Sequence, residues 1–431
     1  MGERFQFPLK QHIGAPSVPV VEAGAPVSRG QLIAAKPTGG LGANLYSSVS
    51  GTVAEVSADQ ITICAAEEQP KDYVKLQGED PLKLIEEAGL VGLGGAGFPT
   101  YAKLTAPAVQ GGTVLVNAAE CEPILGHNIA AIEKNPEQLV RGLRIVMDIL
   151  HAKEGVIAIK VIHKEAVERL RSVLGENMRI HLLQNIYPMG EERAVVREVL
   201  GVLLSVNSLP SEAGAVVLNA ETVCRIQEAV DLKKPLIDKN LTVAGKLKGN
   251  ENLIQIFEDV PIGRSVGKLF EDAGGLAGEY GELVMGGPFT GKRTSLEAPV
   301  VKTTGGLIAT ECFMKGPEKI GLLVCACSAD EARMRQLAES LGSEVVGVEF
   351  CKQAAQVKAA HKCENPGKCP GQVQKIMALK KAGAQAVLVG NCTDCSNTVM
   401  SCAPKLGLPV YHSTDAALRA VNHPLVRRIK E

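Results

Sequence analysis

Twice along this 431-residue chain, short apolar runs rich in β-branched residues alternate with amphipathic helical segments, and this rhythm most restricts the fold. From about Leu82 the order is helix PLKLIEEAG, a glycine loop, helix TYAKLTAPA, strand TVLVN, helix NPEQLVRGLRIVMDIL, strand VIAIKVI and helix KEAVERLRSVLG. After Gly316 it resumes as KIGLLVCAC, ADEARMRQLAESLG, EVVGVEFC, GQVQKIMALKKAG, AQAVLVGNC, CSNTVMSCAPKLG and PVYHST. A helix between two strands carries the chain back over the sheet, so consecutive strands run parallel. Two open α/β domains are expected. The first 66 residues read instead as short strands between turns, PSVPVVEAGAPV, GQLIAAKP and SSVSGTVAEVSADQITICA. LTVAGKLKGNENLIQIFEDVPIGRSVGKLFEDAGG reads as strand, turn, strand and one amphipathic helix, a module of ubiquitin size.

Composition narrows the function classes. The chain has 46 basic and 47 acidic side chains, so it has no polyelectrolyte character to attract nucleic acid. Aromatic residues are only 3%, which leaves little for base-stacking platforms. No apolar run reaches the roughly 18–20 residues that span a bilayer, and MGERFQFPLK lacks the apolar core of a secretion signal. The expected location is the cytoplasm, with docking at the inner face of a membrane left open. Eight of the 12 cysteines fall between Cys325 and Cys402, and such clustering without an export signal argues for metal or redox chemistry over a disulfide framework.

GLVGLGGAGFPTYAKL carries G-x-G-x-x-G at Gly92, Gly94 and Gly97, with Gly95 between them. That spacing lets backbone approach a phosphate at a helix N-terminus. A dinucleotide fingerprint follows a strand, whereas PLKLIEEAG is helical, so the ordinary Rossmann reading does not apply. Pro99 suits a first helical turn, and Lys103 projects one turn further on. Three strand-like runs then end in polar residues: Asn117, Glu120 and Glu122 in TVLVNAAECEP; Tyr187, Glu191 and Glu192 around NIYPMGEERA; Asn219 and Thr222 in AVVLNAETV. Carboxyl ends of parallel strands face the ligand crevice of such sheets.

GLGGAGFPTYAKL, VNAAECEP, YPMGEERA and LNAET, in this order, resemble the flavin-binding core of the NADH-oxidising flavoprotein subunit of respiratory complex I. They resemble RnfC, the C subunit of the Rnf electron-transport complex, more closely. HIGAPSVPVVEAGAPVSRGQLIA with SGTVAEV is similar to that family's N-terminal sandwich, and VMGGPFTG with APVVKTTGGLIA to the close of its core. The resemblance covers roughly residues 1–310. It implies an α/β multidomain protein: a barrel-sandwich of biotinyl or lipoyl type (1–68), an FMN- and NADH-binding α/β core (75–236) and a β-grasp module with core closure (238–314); the alternation after Gly316 adds a cysteine-rich open α/β domain (317–431). Lys36 in the sandwich is not flanked as a carrier lysine is, so that module reads as a structural cap. The resemblance further implies that the glycine loop (Gly92, Gly94, Gly95 and Gly97) and Lys103 hold FMN phosphate. Asn117, Glu120, Glu122, Tyr187, Glu191, Glu192, Asn219 and Thr222 would surround the flavin, with NADH near Phe98.

The C-terminal quarter departs from RnfC, which continues into C-x-x-C-x-x-C-x-x-x-C-P runs that this chain lacks. Its replacement is similar to the proline-reductase-associated electron-transfer protein of amino-acid-fermenting anaerobes, and GNCTDC to the cluster-binding delta subunit of methanogen hydrogenases. Three readings stay open. Cys392 and Cys395 could form a dithiol relay, the C-x-x-C arrangement lowering thiol pKa. Cys325, Cys327, Cys351, Cys392 and Cys395, at strand ends or just beyond, could hold an iron–sulfur cluster or a structural zinc. Implied partners are proline reductase or another thiol- or selenol-dependent reductase, or Rnf-type membrane subunits. Cys64, Cys121, Cys224 and Cys312 read as packed small hydrophobes, and His361 as solvent-facing.

Overall fold

The computed structural model describes residues 2–95, 97–249, 252–358, 360–390 and 399–426. The N-terminal segment forms two small antiparallel sheets. One contains Arg4–Pro8, Gln60–Ala65, Gly51–Val56 and Pro26–Val27; the other contains Val18–Pro19, Leu32–Ala35 and Leu45–Tyr46. Alternation drives Phe5, Phe7, Ile61 and Ile63 into a common core. Lys36 pairs with Glu86 and lies 4.8 Å from the Tyr101 ring centroid, so its ammonium docks this segment on the next one.

The third sheet is wholly parallel, in spatial order Met178–Leu183, Glu154–Lys160, Thr113–Ala118, Ala215–Asn219. Its interior strands are apolar on both faces because helices cover both, and six of the seven residues of Glu154–Lys160 are buried. Helix Pro136–Leu150 shows how locally consistent the sequence is. Asn135 caps it by accepting from the Gln138 amide, Pro136 occupies the first turn, and His151 closes it in the left-handed region at φ 48°. Leu139, Leu143, Val146 and Leu150 form its buried stripe, each contributing about 1.5–3 kcal/mol of apolar burial. The chain steps from 113–118 to 154–160 to 178–183, then returns to the other side of 113–118. The switch in direction falls between Thr113–Ala118 and Ala215–Asn219.

A five-stranded mixed sheet follows, in order Ile254–Pro261, Asp238–Gly245, Gly306–Ala309, Leu283–Met285, Lys292–Thr294, with helix Val266–Asp272 on one face. The last sheet is parallel again: Glu344–Phe350, Lys319–Val324, Ala386–Val389, Val410–His412. Its switch lies between the strands ending at Val324 and Val389. A hairpin, Ala354–Val357 with Ala360–Cys363, leaves this sheet after Cys351.

Specific ties join these parts. Lys302, 1% exposed, donates to the carbonyls of Asn44 at 2.6 Å and Gly89 at 2.7 Å. Arg29 pairs with Asp238 at 2.6 Å. The Tyr187 ring stacks on Phe289, centroids 3.7 Å apart and planes 9° from parallel. Helix TYAKLTAPA is shorter than its pattern suggests: Thr100–Leu104 is α-helical and Pro107–Val109 a 3₁₀ turn, because Pro107 supplies no amide to continue the ladder.

Candidate functional site

At the switch point of the four-stranded parallel sheet of the core, Asn117 and Asn219 are paired in register on adjacent strands. Asn219 ends its strand and caps helix Ala220–Asp231, its Oδ1 accepting from the amides of Glu221 at 3.0 Å and Thr222 at 3.4 Å. Asn117 donates from Nδ2 to the Gly190 carbonyl at 2.7 Å and accepts from the Ala119 amide at 3.2 Å. Crevices of open α/β sheets form at this position. Here an open cleft of about 730 Å³ lies over the strand ends.

Glycine is the commonest residue in its walls. Gly94, Gly95, Gly190, Gly286, Gly287 and Gly305 line it. A Cβ on Gly94 would stand 3.1 Å from the Asn219 side chain, and one on Gly287 2.4 Å from the Glu122 carboxyl carbon. A Cβ on Gly95 would project into open space, at a φ of 123° that side chains rarely adopt. The loop 92–97 is held from behind. Thr222, fully buried, accepts from the Leu93 amide at 3.0 Å, while Gly92 donates to the Phe98 carbonyl and Gly97 to that of Gly92.

Carboxylates fix the remaining edges. Glu120, at φ 37°, accepts from the amide and side chain of Asn128 in the first turn of helix His127–Lys134. Asn128 in turn accepts from the Glu221 amide, so the starts of two helices are tied together at the cleft. Glu122 accepts from the amides of Phe289 at 2.8 Å and Thr290 at 2.9 Å and from the Thr290 hydroxyl at 2.6 Å. Burial raises its pKa, and these three bonds only partly oppose that. Below the floor, Glu221 pairs with the fully buried Lys239. Burial works to raise Glu221, but Lys239 and Arg225 outweigh it and its pKa is lowered.

Of the residues expected around a flavin, Gly94, Gly95, Asn117, Glu120, Glu122 and Asn219 line the cleft. Gly92, Gly97, Phe98, Tyr187, Glu191, Glu192 and Thr222 stand outside that lining. Lys103 donates to Glu192 at 2.5 Å and to the Val217 carbonyl at 3.1 Å, so its ammonium is engaged away from the cleft. Glu191 caps helix Glu192–Leu200 and pairs with Arg193. Leu125, His127, Asn128, Thr290 and Thr303 line the cleft although the sequence did not point to them, and Cys121, expected as packing, lines it too. Thr290 and Thr303 fall in the segments VMGGPFTG and APVVKTTGGLIA, which was the available signal.

FMN fits this set of groups. Glycine walls admit close backbone approach, amide and carboxylate groups offer both donors and acceptors, and two helix N-termini present a favourable field to an anion.

The cleft adjoins the cysteines. Cys121, which lines it, packs with Tyr187, Phe289, Cys327, Cys369 and Cys402 in one apolar cluster. Burial pushes the Cys121 thiol up to about 11. Tyr187, buried, donates from its hydroxyl to the Cys327 carbonyl. Cys325 and Cys351 follow the neighbouring strand ends Val324 and Phe350, which are paired in register. The Cys351 thiol is hydrogen-bonded with those of Cys325 and Cys369, and these bonds, then burial, push its pKa up. Cys363 contacts Gln353 at 3.5 Å, and Cys402 the Val399 carbonyl at 3.6 Å. Cys392 and Cys395 lie outside the described residues. Among the described residues no set of three or more His, Cys, Asp or Glu is arranged to hold a metal ion. Two sequence expectations change: Cys312 is exposed, and His361 is stacked on Phe350 with centroids 4.3 Å apart.

Comparison with known proteins agrees with this geometry. Residues 85–228 match the Nuo51 FMN-binding domain and residues 1–70 the RnfC barrel sandwich hybrid domain. The chain is 33% identical over 355 residues to the C subunit of the ion-translocating oxidoreductase complex of Pseudomonas aeruginosa, covering 78% of this chain but only 45% of that protein. It is 31% identical to the C subunit of the Na(+)-translocating ferredoxin:NAD(+) oxidoreductase complex of Acetobacterium woodii, over 73% of this chain and 74% of that one. With the cobalamin reductase PduS of Citrobacter freundii it shares 32% identity over 79% of this chain and 71% of the other. A mixed α/β protein with a sheet-rich N-terminus and an FMN-binding core, the chain belongs to the RnfC family.

Proposed function

We propose that this chain is an electron-transfer flavoprotein that takes reducing equivalents from NADH in the cleft and delivers them through its C-terminal cysteines to a partner reductase. FMN, when bound, supplies the hydride-accepting chemistry. The chain's own residues supply position. Asn219 and Asn128 order the helix starts, Thr222 holds the glycine loop, Glu120 and Glu122 fix the edges, and the glycines leave room for a planar ligand. No side-chain acid or base is required for hydride transfer itself.

The observation that carries the reading is the continuity of cleft and thiols: Cys121 lines the cleft and packs against the apolar cluster that contains Tyr187, whose hydroxyl bonds the Cys327 carbonyl. The four units 1–68, 75–236, 238–314 and 317–431 would then act as cap, flavin core, β-grasp closure and electron exit. A partner that accepts electrons from thiols is the best match to that exit, and a proline reductase is one such enzyme. Docking on Rnf-type membrane subunits is compatible with the family; no helix of the described residues is long and apolar enough to cross a membrane.

The test is anaerobic reconstitution with FMN. Visible flavin absorbance should appear with the protein and bleach on addition of NADH. A chain that binds no flavin, or a flavoprotein that NADH does not bleach, refutes the proposal. Iron and acid-labile sulfide in stoichiometric amount would assign the exit to a cluster instead of thiols.

A further inference from the structure

Cys325, Cys351 and Cys369 come from separate parts of the chain, yet the fold gathers them: Cys325 and Cys351 follow adjacent strand ends, and one side-chain amide reaches the sulfurs of both Cys351 and Cys369. Cys325 and Cys351 arrive on adjacent strand ends, and Cys369 on the segment between the hairpin and helix Val373–Lys381. That segment is fastened at several points. Gln353 donates to the Lys368 carbonyl at 2.8 Å and accepts from the Asn365 amide at 3.1 Å. Arg197 donates to the Asn365 side chain at 2.5 Å and the Pro366 carbonyl at 2.7 Å, and Arg193 to the Cys363 carbonyl at 2.6 Å. Both arginines sit on helix Glu192–Leu200, which begins two residues after the cleft-lining Gly190. The loop that brings Cys369 is therefore tied to the flavin core.

Gln372 singles out two of the three sulfurs. It is fully buried, and its Oε1 accepts from the Lys352 amide at 3.3 Å, which fixes the orientation of the side-chain amide. Nε2 then faces Cys351 Sγ at 3.1 Å and Cys369 Sγ at 3.5 Å. One buried N–H directed at both sulfurs holds them side by side. Cysteines that merely fill space need no such donor. The two sulfurs also differ in access: Cys351 is 7% exposed, while Cys369 is half-buried. That asymmetry suits exchange chemistry, in which a reachable sulfur engages the partner and a buried one resolves.

We propose that Cys351 and Cys369 form a redox pair, positioned by Gln372, that reduces a disulfide on a partner protein. The Cys369 thiolate attacks one partner sulfur, forming a mixed disulfide and releasing the other partner sulfur, which takes up a proton. Cys351 then attacks the Cys369 sulfur, its proton passing to the departing partner thiolate. The Cys351–Cys369 disulfide forms and the partner leaves as a dithiol. The pair is restored by NADH + H⁺ + disulfide → NAD⁺ + dithiol. This last step rests on the function proposed above; the exchange steps do not.

The test uses the full FMN-loaded chain under anaerobic conditions, equilibrated in mixtures of reduced and oxidised dithiothreitol, acid-quenched, alkylated after denaturation and mapped by peptide mass spectrometry. A Cys351–Cys369 linked peptide should dominate in oxidising mixtures and give way to two alkylated thiols in reducing ones, and also after NADH. Cys369→Ser should abolish the link and Cys363→Ser should leave it. Reduction of a small aromatic disulfide by the NADH-treated protein should fall about tenfold or more in Cys369→Ser. The absence of the linked peptide from every mixture overturns the proposal, as does stoichiometric iron or zinc that is lost when either cysteine is replaced. If NADH bleaches the flavin but leaves the link intact, the pair is not the exit. If the link forms while NADH fails to bleach the flavin, the pair is supported and the NADH reading is what fails.

Discussion

Replacing Lys302 by methionine tests how the cleft is held together. Lys302 precedes Thr303 and Gly305, which line the cleft, and its ammonium has two carbonyl partners, Asn44 and Gly89. Burial pushes it from 10.5 down to about 7. That shift corresponds to about 5 kcal/mol at about 1.4 kcal/mol per unit. The carbonyl bonds favour the charged form and oppose the shift, so this is an upper figure. The sign is firm. A lysine whose folded pKa lies below its unfolded value leaves the native state short of a proton between about 7 and 10.5, so stability contributed by this site rises with pH across that window. Lys302→Met abolishes that rise but leaves two carbonyls unmet, at about 1–3 kcal/mol each. The two effects largely cancel near pH 7, where the variant should be about as stable as wild type. Near pH 10 only the carbonyl cost remains, and the variant should be less stable by about 2–6 kcal/mol. Urea unfolding followed by far-ultraviolet circular dichroism at both pH values, on both proteins, reads this directly. A variant-to-wild-type difference that is the same at pH 7 and pH 10 refutes the reasoning.

Other substitutions separate positioning from packing. Asn219→Ala removes the cap of helix Ala220–Asp231 and should cost about 1 kcal/mol, seen as a lower thermal midpoint, together with weaker FMN binding in a fluorescence titration. Gly95→Val places a branched side chain at φ 123° in open space of the cleft; a strain of about 1–3 kcal/mol and loss of flavin retention are expected, with far-ultraviolet dichroism preserved. Tyr187→Phe keeps the stack on Phe289 but removes the donor to the Cys327 carbonyl, costing about 1–3 kcal/mol. NADH should still bleach the flavin in that variant at the wild-type rate. The raised pKa of Glu122 means that its contribution to stability is full below about 4.5 and declines as pH rises through the folded value. Glu122→Gln should remove that slope from an acid-limb denaturation series.

The sequence alone determined the α/β rhythm, the polar strand ends and the cysteine-rich quarter, because these are local: periodicity of two or 3.6 and the residue that follows a strand are written into neighbouring positions. The quoted motifs likewise located the core, since Gly94, Gly95, Asn117 and Asn219 all line the cleft. Only the tertiary structure decided which of the candidates share a cleft. Lys103, four residues beyond Pro99, has the right spacing for a phosphate yet pairs with Glu192, because a distant helix supplies a carboxylate at that point. Thr222 supports the glycine loop from outside the cleft lining. Cys369 meets Cys351 only after two strands pair, a hairpin leaves the sheet and Arg193 and Arg197 fasten the returning loop. Contacts of that kind depend on strand order and on side chains brought together from separate elements, 89 residues apart for Lys103 and Glu192 and 170 for Arg193 and Cys363, and no local pattern encodes them.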